Sequence, residues 1–183
     1  DPWKVQVWEY TISNVSRACI GTHTFLHALE FSCNVWMIRM AQSLSKYVFY
    51  NYMERLWFWK MTWIELAWED AGRLPDVNNV PLTQYYNNTY GQWLLATPLQ
   101  MAVWFAALIN WWILYQPSIV YGIGDANWKI QEVPPKVVTK LFKEKTSSLM
   151  RTALESILSN WWSKKLWKPW YKKKKKTGTA QIA

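Results

Sequence analysis

Glycine is nearly missing from this chain. Six glycines in 183 residues is about 3%, against a usual share of about 7%. Few residues are therefore free to take left-handed backbone at turns without steric cost. Cysteine is as scarce. Cys19 and Cys33 alone amount to no disulfide framework and match no metal-ligand spacing, which sets aside small disulfide-stapled scaffolds and zinc modules. Acid is absent from one end, where residues 161–183 carry eight lysines and no Asp or Glu. The rest of the chain holds 13 basic and 12 acidic side chains, so the net charge of +9 belongs to that tail and the body is near neutral. Aromatics and lysines do not interleave in the pattern that stacks bases, so nucleic acid is not an expected partner. Residues 77–124 carry no charge at all, and residues 93–115 look long enough to span a bilayer. Within them, however, Thr97-Pro98-Leu99-Gln100 reads as a capping box with proline at the first helical position. A helix from there to Asn110 falls short of the about 20 residues a span requires; it reads as a buried core helix. There is no initiator Met, signal peptide or targeting segment.

What the chain has in excess is tryptophan, with 16 residues. Several follow residues that ordinarily precede glycine in turns: Pro2-Trp3, Asn110-Trp111-Trp112, Asn127-Trp128, Asn160-Trp161-Trp162 and Pro169-Trp170. Asn-Gly and Pro-Gly are turn dipeptides because glycine reaches positive φ freely. An indole at the same place is a steric outlier.

The length allows one domain with a real core. Helical runs are expected over residues 23–30, 35–44 (with Met37, Ile38 and Ala41 on one face), 46–56, 98–109 and 147–158. In the last of these, Leu149, Ala153, Leu154 and Ile157 should face the core. Residues 57–80 read as irregular loops with brief extended pieces and a turn at Leu74-Pro75-Asp76. Residues 119–133 read as a hairpin turning at Asp125-Ala126-Asn127-Trp128, and a last strand is expected over 177–183. Helices beside a mostly antiparallel sheet make an α+β domain.

The strongest chemical signal is Lys176-Thr177-Gly178-Thr179-Ala180-Gln181. Together with Ser32-Cys33-Asn34 it matches two of three motifs, S-x-x-K, S-x-N and K-T-G, of the penicillin-interacting serine enzymes. The text between is more specific. Tyr90-Gly91-Gln92-Trp93-Leu94-Leu95-Ala96-Thr97-Pro98-Leu99-Gln100-Met101-Ala102 resembles the G-Q-G-x-x-x-T-P-L-Q-x-A segment of class B penicillin-binding proteins. Ala106-Ala107-Leu108-Ile109-Asn110-Trp111-Trp112 resembles its A-x-x-A-N-G-G continuation. Ser32-Cys33-Asn34-Val35-Trp36-Met37 is similar to S-x-N-V-G-M, and Leu56-Trp57-Phe58-Trp59 to L-G-F-G. In each, tryptophan stands for glycine. The resemblance covers essentially residues 1–183.

It implies a penicillin-binding/β-lactamase-like transpeptidase fold, incomplete at both ends, and an internal fragment running from after the S-x-x-K helix to the K-T-G strand. It implies a membrane-anchored peptidoglycan D,D-transpeptidase, leaning towards the cell-division type, with its catalytic domain outside the cytoplasmic membrane. Stem peptides and β-lactams would be its ligands, and a membrane-embedded glycosyltransferase and division proteins its partners. In such a site Ser32 would relay a proton to the departing D-Ala nitrogen, and Asn34 would hold the donor's amide. Lys176 would supply positive charge, and Thr177 and Thr179 would bind the substrate carboxylate. Gly178 would let the substrate lie along the strand, and the Thr179 amide would form half of an oxyanion hole. No cofactor or metal is implied. A non-catalytic β-lactam-binding sensor of the same fold is the alternative.

The departures matter as much. No S-x-x-K precedes Ser32, so the nucleophile is expected upstream of residue 1 and the fragment alone should be inactive. Ser43-Leu44-Ser45-Lys46 fits the pattern formally, but it follows the S-x-N and reads as a helix boundary. Lys172 to Lys175 stand where the family has small and apolar residues. His23 and His27 are four apart on a helix but lack a third ligand, and read as a surface pair. Cys33, at the variable middle of S-x-N, reads as a small buried residue. Sixteen independent Gly→Trp changes, each overpacking a site at about 1–3 kcal/mol, would exceed the stability of a domain. A single codon, UGA, read as glycine by the source and as tryptophan here, is the expected explanation: nearly every tryptophan falls at a family glycine position, Trp104, where a small residue is expected, being the least clear.

Overall fold

The computed structural model describes residues 2–73 and 75–157. Its elements, in chain order, are β1 (Lys4–Val7), β2 (Tyr10–Ser13), a short 3-10 turn (Arg17–Cys19), α1 (Phe25–Glu30), α2 (Asn34–Gln42) and α3 (Lys46–Arg55). There follow α4 (Leu82–Thr89), α5 (Pro98–Ile109), β3 (Ile113–Tyr115), β4 (Gly122–Gly124), β5 (Ile130–Glu132), β6 (Val137–Lys140) and α6 (Glu144–Ile157). The strands form three antiparallel pairs, β1–β2, β3–β6 and β4–β5. The α+β class holds, with pairs of short strands in place of one broad sheet among the described residues. The strand expected over 177–183 lies outside them.

The chain divides into two compact units. The first holds β1 to α2, most of α3, and α4. Val35, Ile38 and Ala41 of α2 are buried, with Tyr50 of α3 and Tyr85 and Tyr86 of α4; Met37 is only partly so. Two tyrosines are buried because their hydroxyls find partners. Tyr85 donates to the carbonyls of Ala41, in the last turn of α2, and Leu44, just past it, at 3.1 and 3.2 Å, satisfying groups that a helix terminus leaves open. Tyr50 donates to Asn88 Oδ1 at 2.6 Å. The capping turn of α3 explains Ser43-Leu44-Ser45-Lys46. Ser45 Oγ accepts from the Tyr47 amide at 3.3 Å, so this copy of S-x-x-K is a helix start, as its position in the order indicated.

Burial, and then neighbouring Tyr85, push the Tyr50 hydroxyl up to about 12 from 10.0. A raised folded-state value contributes stability that is complete below the unfolded value and lost as pH rises through the folded one. A decline between pH 10 and about 12 is therefore expected. Tyr50→Phe should flatten that limb and cost about 1–3 kcal/mol at neutral pH by taking from the buried Asn88 Oδ1 the donor it has in Tyr50. Urea titrations on both sides of that window check this; an unchanged alkaline limb would be the contrary result.

The second unit is organised by the capped helix α5. Thr97 Oγ1 accepts from the Gln100 amide, and Gln100 Oε1 accepts from the Thr97 amide, both at 3.1 Å. Pro98 opens the helix as expected. Gln100 is fully buried, and its Nε2 donates to the carbonyls of Lys60 and Ala71 at 2.9 and 2.8 Å. One amide thus caps a helix and holds two turns of the irregular segment beside it. Glu69 does the same for another turn, accepting from the amides of Thr62 and Trp63 at 2.6 and 2.9 Å. No strand forms there among the described residues. The segment is held by side chains, which is why its composition alone shows no periodicity.

The hairpin at 119–133 is present as β4–β5 but shorter, closing with the Asp125 amide donating to the Lys129 carbonyl at 3.1 Å. The α6 face is rotated from the one expected. Leu154 and Ile157 are buried, but Leu149 is 63% exposed and Ser147 is fully buried. Ser147 can face inward because its hydroxyl donates to the Leu108 carbonyl at 3.3 Å, removing the penalty of an unpaired buried hydroxyl. No helix among the described residues is long and apolar enough to cross a membrane.

The turns carry the most unusual backbone. Ten non-glycine residues have positive φ among those described: Ser32 and nine tryptophans, namely Trp8, Trp57, Trp59, Trp63, Trp68, Trp93, Trp111, Trp112 and Trp128, at φ of 54–67°.

Candidate active site

The S-x-N turn is built at the junction of α1 and α2. Helix α1 begins at Thr24, whose side chain accepts from the His27 amide, and ends in a complete Schellman motif. The Ser32 amide donates to Leu29 at 3.4 Å and the Cys33 amide to Ala28 at 2.9 Å. That motif places Ser32 at the position glycine usually fills, with φ of 54°. Left-handed backbone in a serine costs about 1–2 kcal/mol; such strain persists where its surroundings impose it, and it clusters at functional sites. Ser32 is exposed and Asn34 partly so.

Three bonds from the end of β2 and the segment after it fix this turn. The Asn34 Nδ2 donates to the Ser13 carbonyl at 3.1 Å. The Val35 amide donates to Asn14 Oδ1 at 3.0 Å, in a buried contact. Cys33 is joined to Cys19 by a disulfide, with Cα atoms 5.6 Å apart. Two cysteines make no framework, yet they pair, so Cys33 is more than the small buried residue expected. Two cysteines 14 residues apart reveal no pairing by themselves; the 3-10 turn at Arg17–Cys19 brings Cys19 beneath the end of α1. Cys33 is indeed buried, in a cluster with Cys19 and Ala28 against which Phe31 and Trp36 pack. Closing a loop of this length stabilises by about 3 kcal/mol.

Sequence reading found Ser32 and Asn34 and missed the groups that hold them: Ser13, Asn14 and Cys19. Nothing local marks those three, because each reaches the turn across 14–21 residues. His23 and His27 touch edge to face, at 4.0 Å between ring centroids. Their Nε2 atoms meet the carbonyls of Ile20 and Ala18 at 2.8 and 3.2 Å. A nitrogen facing a carbonyl carries the proton and is no metal ligand in that state. Lys176, Thr177, Gly178 and Thr179 lie outside the described residues, so the structure brings together only the S-x-N half of the expected constellation.

Known proteins resemble this chain in sequence and fold. The description penicillin binding protein transpeptidase domain matches residues 2–183. Stage V sporulation protein D of Bacillus subtilis is 28% identical over 163 residues, covering 88% of this chain and 25% of that protein. A peptidoglycan D,D-transpeptidase FtsI homolog of Mesostigma viride is 26% identical over 170 residues, covering 84% of this chain and 28% of that protein. The chain thus spans about a quarter of the length of these relatives. Among solved structures, the D,D-transpeptidase domain of a peptidoglycan glycosyltransferase from Eggerthella lenta superposes with a TM-score of 0.86 at 20% identity, over 100% of this chain and 48% of that one. Penicillin binding protein 3 from Mycobacterium tuberculosis, complexed with aztreonam, superposes with a TM-score of 0.77 at 21% identity, over 86% and 35%. The α1–α2 junction with its S-x-N turn, the capped α5 and the match along residues 2–183 agree: the chain belongs to the penicillin binding protein transpeptidase domain family.

Proposed function

We propose that this chain is the S-x-N to K-T-G portion of a serine D,D-transpeptidase that cross-links peptidoglycan and is acylated by β-lactams. The observation that carries the reading is the strained, exposed Ser32 held beside a fixed Asn34 amide. Because Asn34 Nδ2 donates to Ser13, the orientation of the amide is set, and Oδ1 is the atom suited to accept an N–H from the acyl donor.

The reaction runs in two balanced steps. A serine from an S-x-x-K segment, which the family places ahead of S-x-N, attacks the carbonyl of the penultimate D-Ala. The amide C–N bond breaks, and the terminal D-Ala leaves with a proton relayed through Ser32. An amine of a second stem peptide then attacks the ester, forming the new amide and returning the serine. Lys176 and the hydroxyls of Thr177 and Thr179 hold the substrate carboxylate, Gly178 admits the substrate backbone, and the Thr179 amide supplies half of the oxyanion hole. The protein acts on the outer face of the cytoplasmic membrane, anchored upstream, beside a membrane-embedded glycosyltransferase and division proteins. The FtsI and sporulation names of the relatives favour the division type.

Incubating the gene product with a pentapeptide substrate and an acceptor amine tests the activity. The reading predicts release of D-Ala and a cross-linked product. Binding of β-lactam without D-Ala release would instead support a sensor of the same fold.

A further inference from the structure

We propose that Asn14 is a positioning residue for the S-x-N turn, acting as a remote N-cap of α2; this rests on the proposed transpeptidase reading. Cys33 occupies the N-cap position of α2, but its side chain makes no capping bond. The acceptor comes from Asn14, whose Oδ1 takes the Val35 amide at 3.0 Å. Asn14 is 3% exposed, and its backbone amide donates to the Trp3 carbonyl at 3.0 Å, so the β1–β2 hairpin holds it in place. The next residue back, Ser13, accepts from Asn34 itself. Two consecutive residues, the last of β2 and the one after it, therefore set both where α2 begins and which way the Asn34 amide faces. Val35 is fully buried, so water cannot replace the lost acceptor. An α2 start that slips moves Asn34 relative to the substrate, and small misplacements of a positioning group cost large factors in rate. The Asn14 Nδ2 is buried with no partner among the described residues. Asp in its place keeps the acceptor and sacrifices no bond seen there, and its charge lies at a helix N-terminus, where the dipole favours it.

The test compares Asn14→Leu with Asn14→Asp in the full-length protein. Hydrogen exchange at the Val35 amide reads the cap directly. It should quicken about fivefold in Asn14→Leu, as loss of one cap implies, and stay near wild type in Asn14→Asp. Acylation by a fluorescent penicillin reads the consequence. The first-order acylation step should fall about tenfold or more in Asn14→Leu with little change in the initial binding constant, be rescued in Asn14→Asp, and be non-additive with Asn34→Ala. Unchanged exchange at Val35, or additive effects with Asn34→Ala, would overturn the assignment. A wild-type protein that never acylates would instead overturn the transpeptidase reading, while the exchange result would still decide the cap.

A separate observation carries a second inference. We infer that the left-handed tryptophans stand at positions where the natural protein carries glycine. Of the twelve tryptophans among the described residues, all except Trp3, Trp36 and Trp104 are left-handed. Each of the following lies where local geometry asks for glycine. Helix α4 ends in a Schellman motif with Gly91 at the left-handed position, Gly91 donating to Asn88 and Gln92 to Asn87. Helix α3 ends in the same motif, with Trp57 donating to Glu54 and Phe58 to Met53, so Trp57 stands where α4 has glycine. Helix α5 ends with Trp112 donating to Ala107, across a left-handed Trp111. Trp8 is the first residue of the two-residue loop joining Val7 to its partner Tyr10, a position that favours glycine when left-handed. Trp128 closes the β4–β5 hairpin as the last of three loop residues, again a glycine position. The indoles of Trp68 and Trp128 are 98% and 92% exposed, so packing does not explain them.

A single codon decoded as glycine by the source and as tryptophan in this sequence produces the pattern. The check is to read the gene's codons and weigh the peptide of residues 61–73 from the native protein. UGA at these sites, with glycine mass at 63 and 68, is expected. Tryptophan codons, or tryptophan mass in the native peptide, would overturn the inference.

Discussion

Restoring glycine at residues 8, 63, 68, 93 and 128 is expected to stabilise the domain by roughly 5 kcal/mol, about 1 kcal/mol net per site. These five sites give the cleanest comparison because their indoles are at least 65% exposed and contribute little packing. A bulky residue in left-handed backbone costs about 1–2 kcal/mol, and glycine's extra freedom in the unfolded chain returns part of that. The total is a large share of the about 5–15 kcal/mol that holds a domain together. Trp59 and Trp112 differ, since they are buried and Trp112 packs edge to face on Phe142 at 4.5 Å. There, strain and burial oppose each other. Urea titration of the full-length protein with and without the five glycines measures the difference. Equal midpoints would contradict the left-handed assignments.

Ser32→Gly is expected to separate stability from activity. Glycine is the residue that the Schellman turn at the end of α1 favours, so the variant should gain about 1 kcal/mol. The same change removes the hydroxyl proposed to relay the proton and should slow acylation by about 10²–10⁴-fold. Ser32→Ala should lose acylation equally without the gain, because alanine suffers the same left-handed strain. Thermal unfolding and the rate of penicillin adduct formation read the two effects independently. A Ser32→Gly protein that is less stable, or that acylates within twofold of wild type, would remove Ser32 from the role given to it.

How much of this was legible in the sequence depends on how local each signal was. The α5 start was legible because Thr97, Pro98 and Gln100 carry the capping instruction within four residues, and the structure shows both halves of the box. Helix α4 was not. Its sequence, LTQYYNNT, has little aliphatic periodicity and its N-cap makes no side-chain bond; the helix is fixed by buried Tyr85, Tyr86 and Asn88. The β1–β2 hairpin was hidden because its turn, Trp8-Glu9, lacks the glycine that would announce it. The inward face of α6 was misread at Leu149 because the Ser147–Leu108 bond, which rotates the polar residue inward, joins residues 39 apart. At the site, Ser32 and Asn34 were readable as a motif. The disulfide and the Asn14 cap are tertiary bonds and were not.

The most direct measurement is labelling of the full-length gene product, with glycine at the tryptophan positions, by a fluorescent penicillin. A covalent adduct is expected on the serine of an S-x-x-K segment, abolished by prior heat denaturation or unlabelled β-lactam and strongly slowed by Lys176→Ala. A folded protein that forms no covalent adduct would contradict it.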